Sequence, residues 1–190
     1  MAYDVRVIDG QHSEFCDECG FDGSLVRNED LVSRYKDLAG QWGYLLSRYP
    51  ETLLRQRPTP TVWCAFEYAH HLAIALRWLA GIINGTTVAA PAPPTDDPTC
   101  HPDDCRAWSR AMLVGGISDG ANAVLLSANV DEAGTVHGAE PISFGAFRLS
   151  LSTALRHGIH DSEHHVLDVR RGMATINLAL GHSALRERDI

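Results

Sequence analysis

Four of the chain's ten histidines crowd one short stretch, His157, His160, His164 and His165. In a helix, positions three and four apart share a face, so His157, His160 and His164 form one stripe while His165 turns about 100° away. His160-x-x-x-His164 sets two imidazoles one turn apart, the spacing at which both reach a single metal ion. Asp168 continues the stripe and is placed to orient a ligand imidazole by accepting its second N–H. A third ligand must come from elsewhere. Glu67-Tyr68-Ala69-His70-His71 lies in a very apolar stretch, where a histidine calls for a partner, and Glu67 and His71 fall one turn apart. They offer a third imidazole and a carboxylate able to bind the ion or move a proton. The same spacings also suit histidines that only hydrogen-bond across a bundle or sit on a solvated face, so spacing alone does not choose.

The cysteines raise a second possibility. Cys16-x-x-Cys19 is half of a structural zinc site, and a closed site needs two further ligands. Cys100 and Cys105, or His101, supply them if the proline-rich segment folds back onto the N-terminus. The alternative is two separate pairs of reduced thiols. Cys64 sits in an apolar stretch and reads as a small core residue.

The elements that must position these groups are helices. Leu25, Leu31, Val32, Tyr35, Leu38, Trp42, Leu45 and Leu46 predict an amphipathic helix from Ser24 to about Arg48, stopped by Pro50. A second helix over 62–83, capped by Thr61 or the residue before it, is apolar on nearly every side and belongs inside a bundle or at a subunit contact. Prolines make 85–103 an extended connection. A third helix is expected from Asp103-Asp104 to Val130, bent or broken near Gly115-Gly116 and Ser118-Asp119-Gly120. Residues 131–143 read as a loop with room for a short hairpin, and a fourth helix runs from about Phe144 to Val169, weakened at Gly158. Met173 to Leu180 is ambiguous between helix and strand. Residues 1–23 carry no helical period and read as a loop-rich lead-in to a single domain over 1–190. The expected fold is all-α, a four-helix bundle with irregular connections.

Composition narrows the partners. Apolar residues make up 45% and charged residues 21%, as in a globular protein, and the net charge of -8 disfavours nucleic acid. No run approaches the roughly 18 unbroken apolar residues of a membrane span, and the N-terminus lacks a signal-peptide profile. A cytoplasmic protein with reduced cysteines is expected, acting on a small molecule and with a homodimer open to it.

Two segments resemble the DinB superfamily, in particular its small actinobacterial members. They are Arg57-Pro-Thr-Pro-Thr-Val-Trp63-Cys-Ala-Phe-Glu67-Tyr68-Ala-His-His71 and Leu155-Arg-His-Gly-Ile-His160-Asp161-Ser-Glu-His164-His165-Val-Leu-Asp168-Val169. Cys16-Asp-Glu-Cys19-Gly20-Phe21-Asp22 is similar to the opening of those members. The resemblance covers roughly a fifth of the chain and implies a DinB-like bundle with three histidines around a divalent metal. Matched position by position, the ligands fall on His71, His160 and His164, while His70, His157 and His165 fall outside the pattern. Zinc is the first expectation, and nickel or iron also suit imidazole. Three neutral ligands leave an open position and the full charge of the ion, the arrangement of a catalytic site. The resemblance further implies transfer or addition of a low-molecular-weight thiol such as mycothiol, with Glu67 as proton carrier. A metal-dependent hydrolase or lyase and a non-catalytic metal-binding stress protein are the alternatives. Residues 85–135 depart from the family and leave the substrate open.

Overall fold

The sequence predicts a loop over 1–23, but the chain opens with an antiparallel hairpin of β1 (Asp4–Ile8) and β2 (Gln11–Phe15), with Asp4 opposite Phe15. The polar–apolar alternation of Asp4-Val5-Arg6-Val7 is a strand period, short enough to be overlooked beside long helical patterns. The computed structural model describes residues 4–8, 11–86, 107–131, 133, 135–137, 142–144 and 147–186.

α1 spans Asn28–Ser47 and buries Leu31, Tyr35, Leu38, Trp42, Leu45 and Leu46, the residues its period selects. It does not begin at Ser24. A 3-10 turn, Gly23–Leu25, comes first, and the Asp22 carboxylate accepts from Ser24 N at 2.9 Å. A short α2, Glu51–Leu54, follows Pro50, which is well placed at a helix start. α3 spans Ala65–Ile83 and starts after Cys64 rather than at Thr61. Thr59 and Val62 are held in a β-bridge, and the backbone N–H of Cys64, the residue that caps the helix, donates to the Glu67 carboxylate at 2.7 Å.

α4 runs Arg110–Ala128, with Ser109 Oγ accepting from Met112 N. Its expected start at Asp103-Asp104 and the proline-rich connection lie outside the described residues. The glycines predicted to break it do not. A Cβ on Gly120 would stand 2.8 Å from Leu76 Cβ, so this glycine lets α4 lie close against α3. By length and composition α4 could cross a membrane, the single helix among the described residues to do so.

A second hairpin, β3 (Ile142–Phe144) with β4 (Phe147–Leu149), occupies the expected start of the last helix. α5 then spans Leu151–Arg186 as one uninterrupted helix of 36 residues, which absorbs the ambiguous stretch from Met173 to Leu180. Gly158 does not weaken it in place. The Tyr35 hydroxyl occupies the room a Cβ would need and donates to the Leu155 carbonyl at 2.8 Å.

The described residues are mostly helical, with five α-helices and minimal sheet among them. α3 packs on α4 and α5, and α1 packs on the same two, so α3's apolar faces are covered from both sides. β2 and the 3-10 turn rest on α5. Trp42 Nε1 donates to Ser162 Oγ at 3.0 Å and Arg34 pairs with Glu163 at 3.0 Å, which fixes the rotation of α5 about its own axis.

Candidate metal centres

That rotation decides where each α5 side chain goes. His160 and His164 turn toward the N-terminal segment, while Asp161 and His165, one residue later, turn toward α3. Two donor clusters result. In one, ligand atoms of Cys16, Cys19, His160 and His164 all lie within 4.8 Å of one another; in the other, those of His71, Asp161 and His165 do. A third group, Glu14, His157 and His160, shares a member with the first.

The cysteine-containing cluster is built on a tight turn. Gly20 takes the left-handed conformation, φ 74°, that allows the chain to double back, with Gly20 N bonded to Cys16 O at 2.9 Å and Cys16 N to Phe21 O at 3.0 Å. Cys16 Sγ lies 3.5 Å from His164 Nδ1. Phe21 stacks on His160 at 4.6 Å between ring centroids, closing one side. Glu14 approaches both His157 Nδ1, at 2.6 Å, and His160 Nδ1, at 2.8 Å. Burial opposes ionisation of Cys16, but the backbone N–H groups of Cys19 and Glu18 and the His160 ring outweigh it and bring the thiol down to about 6. Burial and the adjacent Cys16 push Cys19 up to about 11. Burial likewise works against the Glu14 charge, yet His157 and His160 hold its carboxyl down at about 2.

The second cluster joins α3 to α5. His165 Nε2 stands 3.3 Å from Asp161 Oδ1, and its Nδ1 lies 3.1 Å from Asp168 Oδ2. The His71 and His165 rings meet edge to face at 5.1 Å. Trp63 packs on His71 and Tyr68 on His165. Burial disfavours a charge on His165, but Asp161 and Asp168 raise its pKa to about 9. Burial would also raise the pKa of Asp161, and His165 with His71 and His157 overcomes this and holds it below the usual carboxylate range. His165 is 1% exposed, yet its Nε2 makes no aligned hydrogen bond. A cleft of about 110 Å³ opens beside this cluster, lined by His71, Asp161 and His157 together with Leu76, Trp78 and Leu79.

The residues singled out from sequence are therefore sorted into two places. His160 and His164 come together as expected from their spacing, but no cluster among the described residues joins them to His71. His71 instead meets Asp161 and His165. Glu67, expected to carry a proton, is 1% exposed and gripped by Arg57 through Nη2 at 2.6 Å and Nε at 3.0 Å while it caps α3. Burial opposes its charge, and Arg57 and the Cys64 N–H overcome this and hold the carboxyl below its ordinary range. It is an ionised structural anchor that belongs to neither cluster. Asp168 Oδ2 lies 3.1 Å from His165 Nδ1, a ring outside the expected ligand set, and 3.9 Å from His164 Nε2. Cys100 and Cys105 lie outside the described residues. Asp161, His165 and Glu14 went unselected in the sequence. Asp161-x-x-x-His165 has the same four-residue spacing as His160-x-x-x-His164, one step out of phase, and that was the signal available.

No protein-family model, no curated protein and no solved structure matches this chain. The buried histidine, cysteine and carboxylate groups, which could bind a metal ion, thus stand on their own geometry.

Proposed function

We propose that this chain is a metal-dependent enzyme, built as a DinB-like four-helix bundle, in which His71, Asp161 and His165 hold one divalent ion beside a small-molecule cleft. The observation that carries this reading is the convergence of two imidazoles and a carboxylate, from two helices, within 4.8 Å of one another at the wall of that cleft. The donors fit an ion. Asp168 at His165 Nδ1 leaves Nε2 as the nitrogen turned toward His71 and Asp161, and a buried ring nitrogen without a hydrogen bond calls for a partner. Three protein ligands keep a coordination position open, and zinc, nickel and iron all suit this donor set.

When bound, the ion supplies a Lewis acid that lowers the pKa of a thiol or water delivered to it. The chain does the rest. Leu76, Trp78 and Leu79 offer an apolar wall that takes the carbon skeleton of a small substrate and excludes water. His157 lines the same cleft with Glu14 at its Nδ1, and this supports His157, rather than Glu67, as the proton carrier. The likeness of 57–71 and 155–169 to DinB proteins favours a low-molecular-weight thiol, of the mycothiol type, adding to a small electrophile.

The test is thiol consumption by tag-free, zinc-loaded protein, using mycothiol or glutathione with chlorodinitrobenzene, beside Asp161→Asn. Zinc-dependent consumption lost in the variant is the expected result. Turnover of ester or amide substrates without thiol would move the reading to a hydrolase. Zinc binding with neither activity would overturn the enzyme reading.

A further inference from the structure

Four donors that the proposed catalytic centre does not use meet on the neighbouring face of the same helical turn. We propose that Cys16, Cys19, His160 and His164 form a closed, four-coordinate zinc site that ties the N-terminal hairpin to α5.

Geometry is the first support. With Zn–N bonds of about 2.0 Å and Zn–S bonds of about 2.3 Å, tetrahedral donors stand roughly 3.3–3.8 Å apart. The Cys16 Sγ to His164 Nδ1 separation of 3.5 Å falls within that span, and all four donors already lie within 4.8 Å of one another.

The surroundings are those of a ligand set. Glu14 at His160 Nδ1 leaves Nε2 for the thiol side, the outer carboxylate that metal-bound histidines commonly use to fix ring orientation. Binding expels the two thiol protons to solvent and needs no oxidant, since zinc stays divalent throughout. Two thiolates and two neutral imidazoles around a divalent ion sum to zero charge. That balance suits a place where Cys16, His160 and His164 are 8%, 0% and 4% exposed.

The overlapping trio of Glu14, His157 and His160 is not a rival site. Its oxygens and nitrogens are 2.6 and 2.8 Å apart, the lengths of proton-sharing hydrogen bonds, with no room for an ion between them. Glu14 instead links the zinc site to the cleft, because the same carboxylate holds His157. Four protein donors leave no position for substrate, so this ion is structural.

Cobalt(II) titrated into reduced, metal-free, full-length protein tests the assignment. One equivalent is expected to give thiolate-to-cobalt charge-transfer absorption in the near ultraviolet together with intense tetrahedral d–d bands. His71→Ala should keep both features, since its cluster contains no sulfur, and Cys19→Ser should lose charge-transfer intensity. A wild-type spectrum without charge transfer would overturn the proposal, and needs no variant to fold. So would a charge-transfer band unchanged in Cys19→Ser.

Discussion

His164 and His165 are adjacent in sequence, yet their rings stand 6.2 Å apart at 76° and serve different clusters. His164 faces Cys16, and His165 faces His71 and Asp161. One residue of helix, a turn of about 100°, is the whole separation between the two donor sets along α5.

Metal stoichiometry should therefore divide cleanly. Wild-type protein loaded with zinc and desalted should hold two equivalents by elemental analysis. His164→Ala and Asp161→Asn should each lose one, and the double variant both. One equivalent shared by the two single variants would refute the separation.

His157→Gln should slow thiol addition roughly a hundredfold or more in kcat, the usual scale for removing a positioned proton carrier. KM for the electrophile should change little, and both ions should remain. Unchanged kcat with full metal content would remove His157 from the chemistry.

Glycine substitutions should differ in sign along the helices. Gly158→Ala drives a methyl into the Tyr35 hydroxyl and to 2.9 Å from Leu79 Cδ2, and should lower stability by about 1–3 kcal/mol. Gly115→Ala meets nothing within 4 Å inside α4 and should raise stability by up to about 1 kcal/mol. Urea unfolding midpoints of the two variants check both directions.

Glu67→Gln should cost about 2–3 kcal/mol at neutral pH, because Arg57 and the Cys64 N–H lose a buried anionic partner. The folded pKa of Glu67 is depressed, so its contribution is present above the unfolded value of about 4.3 and is lost as pH falls through the folded value. Denaturant midpoints measured from neutral to acid pH should show the gap between wild type and variant closing on the acid side. A constant gap would contradict the ionised anchor.

The helices were legible wherever burial follows a steady period. The spacing of Leu31, Tyr35, Leu38, Trp42 and Leu45 announces α1, and the end of α3 after Ile83 is where Asn84-Gly85 suggests it. The hairpin of β1 and β2 was not, because a five-residue alternation carries little weight without a partner strand in view. Gly158 and Gly120 read as weak points from propensity alone, and only tertiary contact shows that each makes room for a neighbour. At the site, His160-x-x-x-His164 was visible as a pair. Its partners were not, because helical spacing says which residues share a face and nothing about what that face meets. Cys16 and Cys19 were likewise recognised as half a site, but without the two α5 histidines whose donor atoms lie within 4.8 Å of theirs.

The interleaving of two four-residue pairs on one turn of α5 has a mechanical result. A helical turn moves as a stiff body, so the azimuth that turns His160 and His164 toward Cys16 also turns Asp161 and His165 toward His71. Any effect of one proposed ion on affinity for the other is, by thermodynamic linkage, equal in both directions.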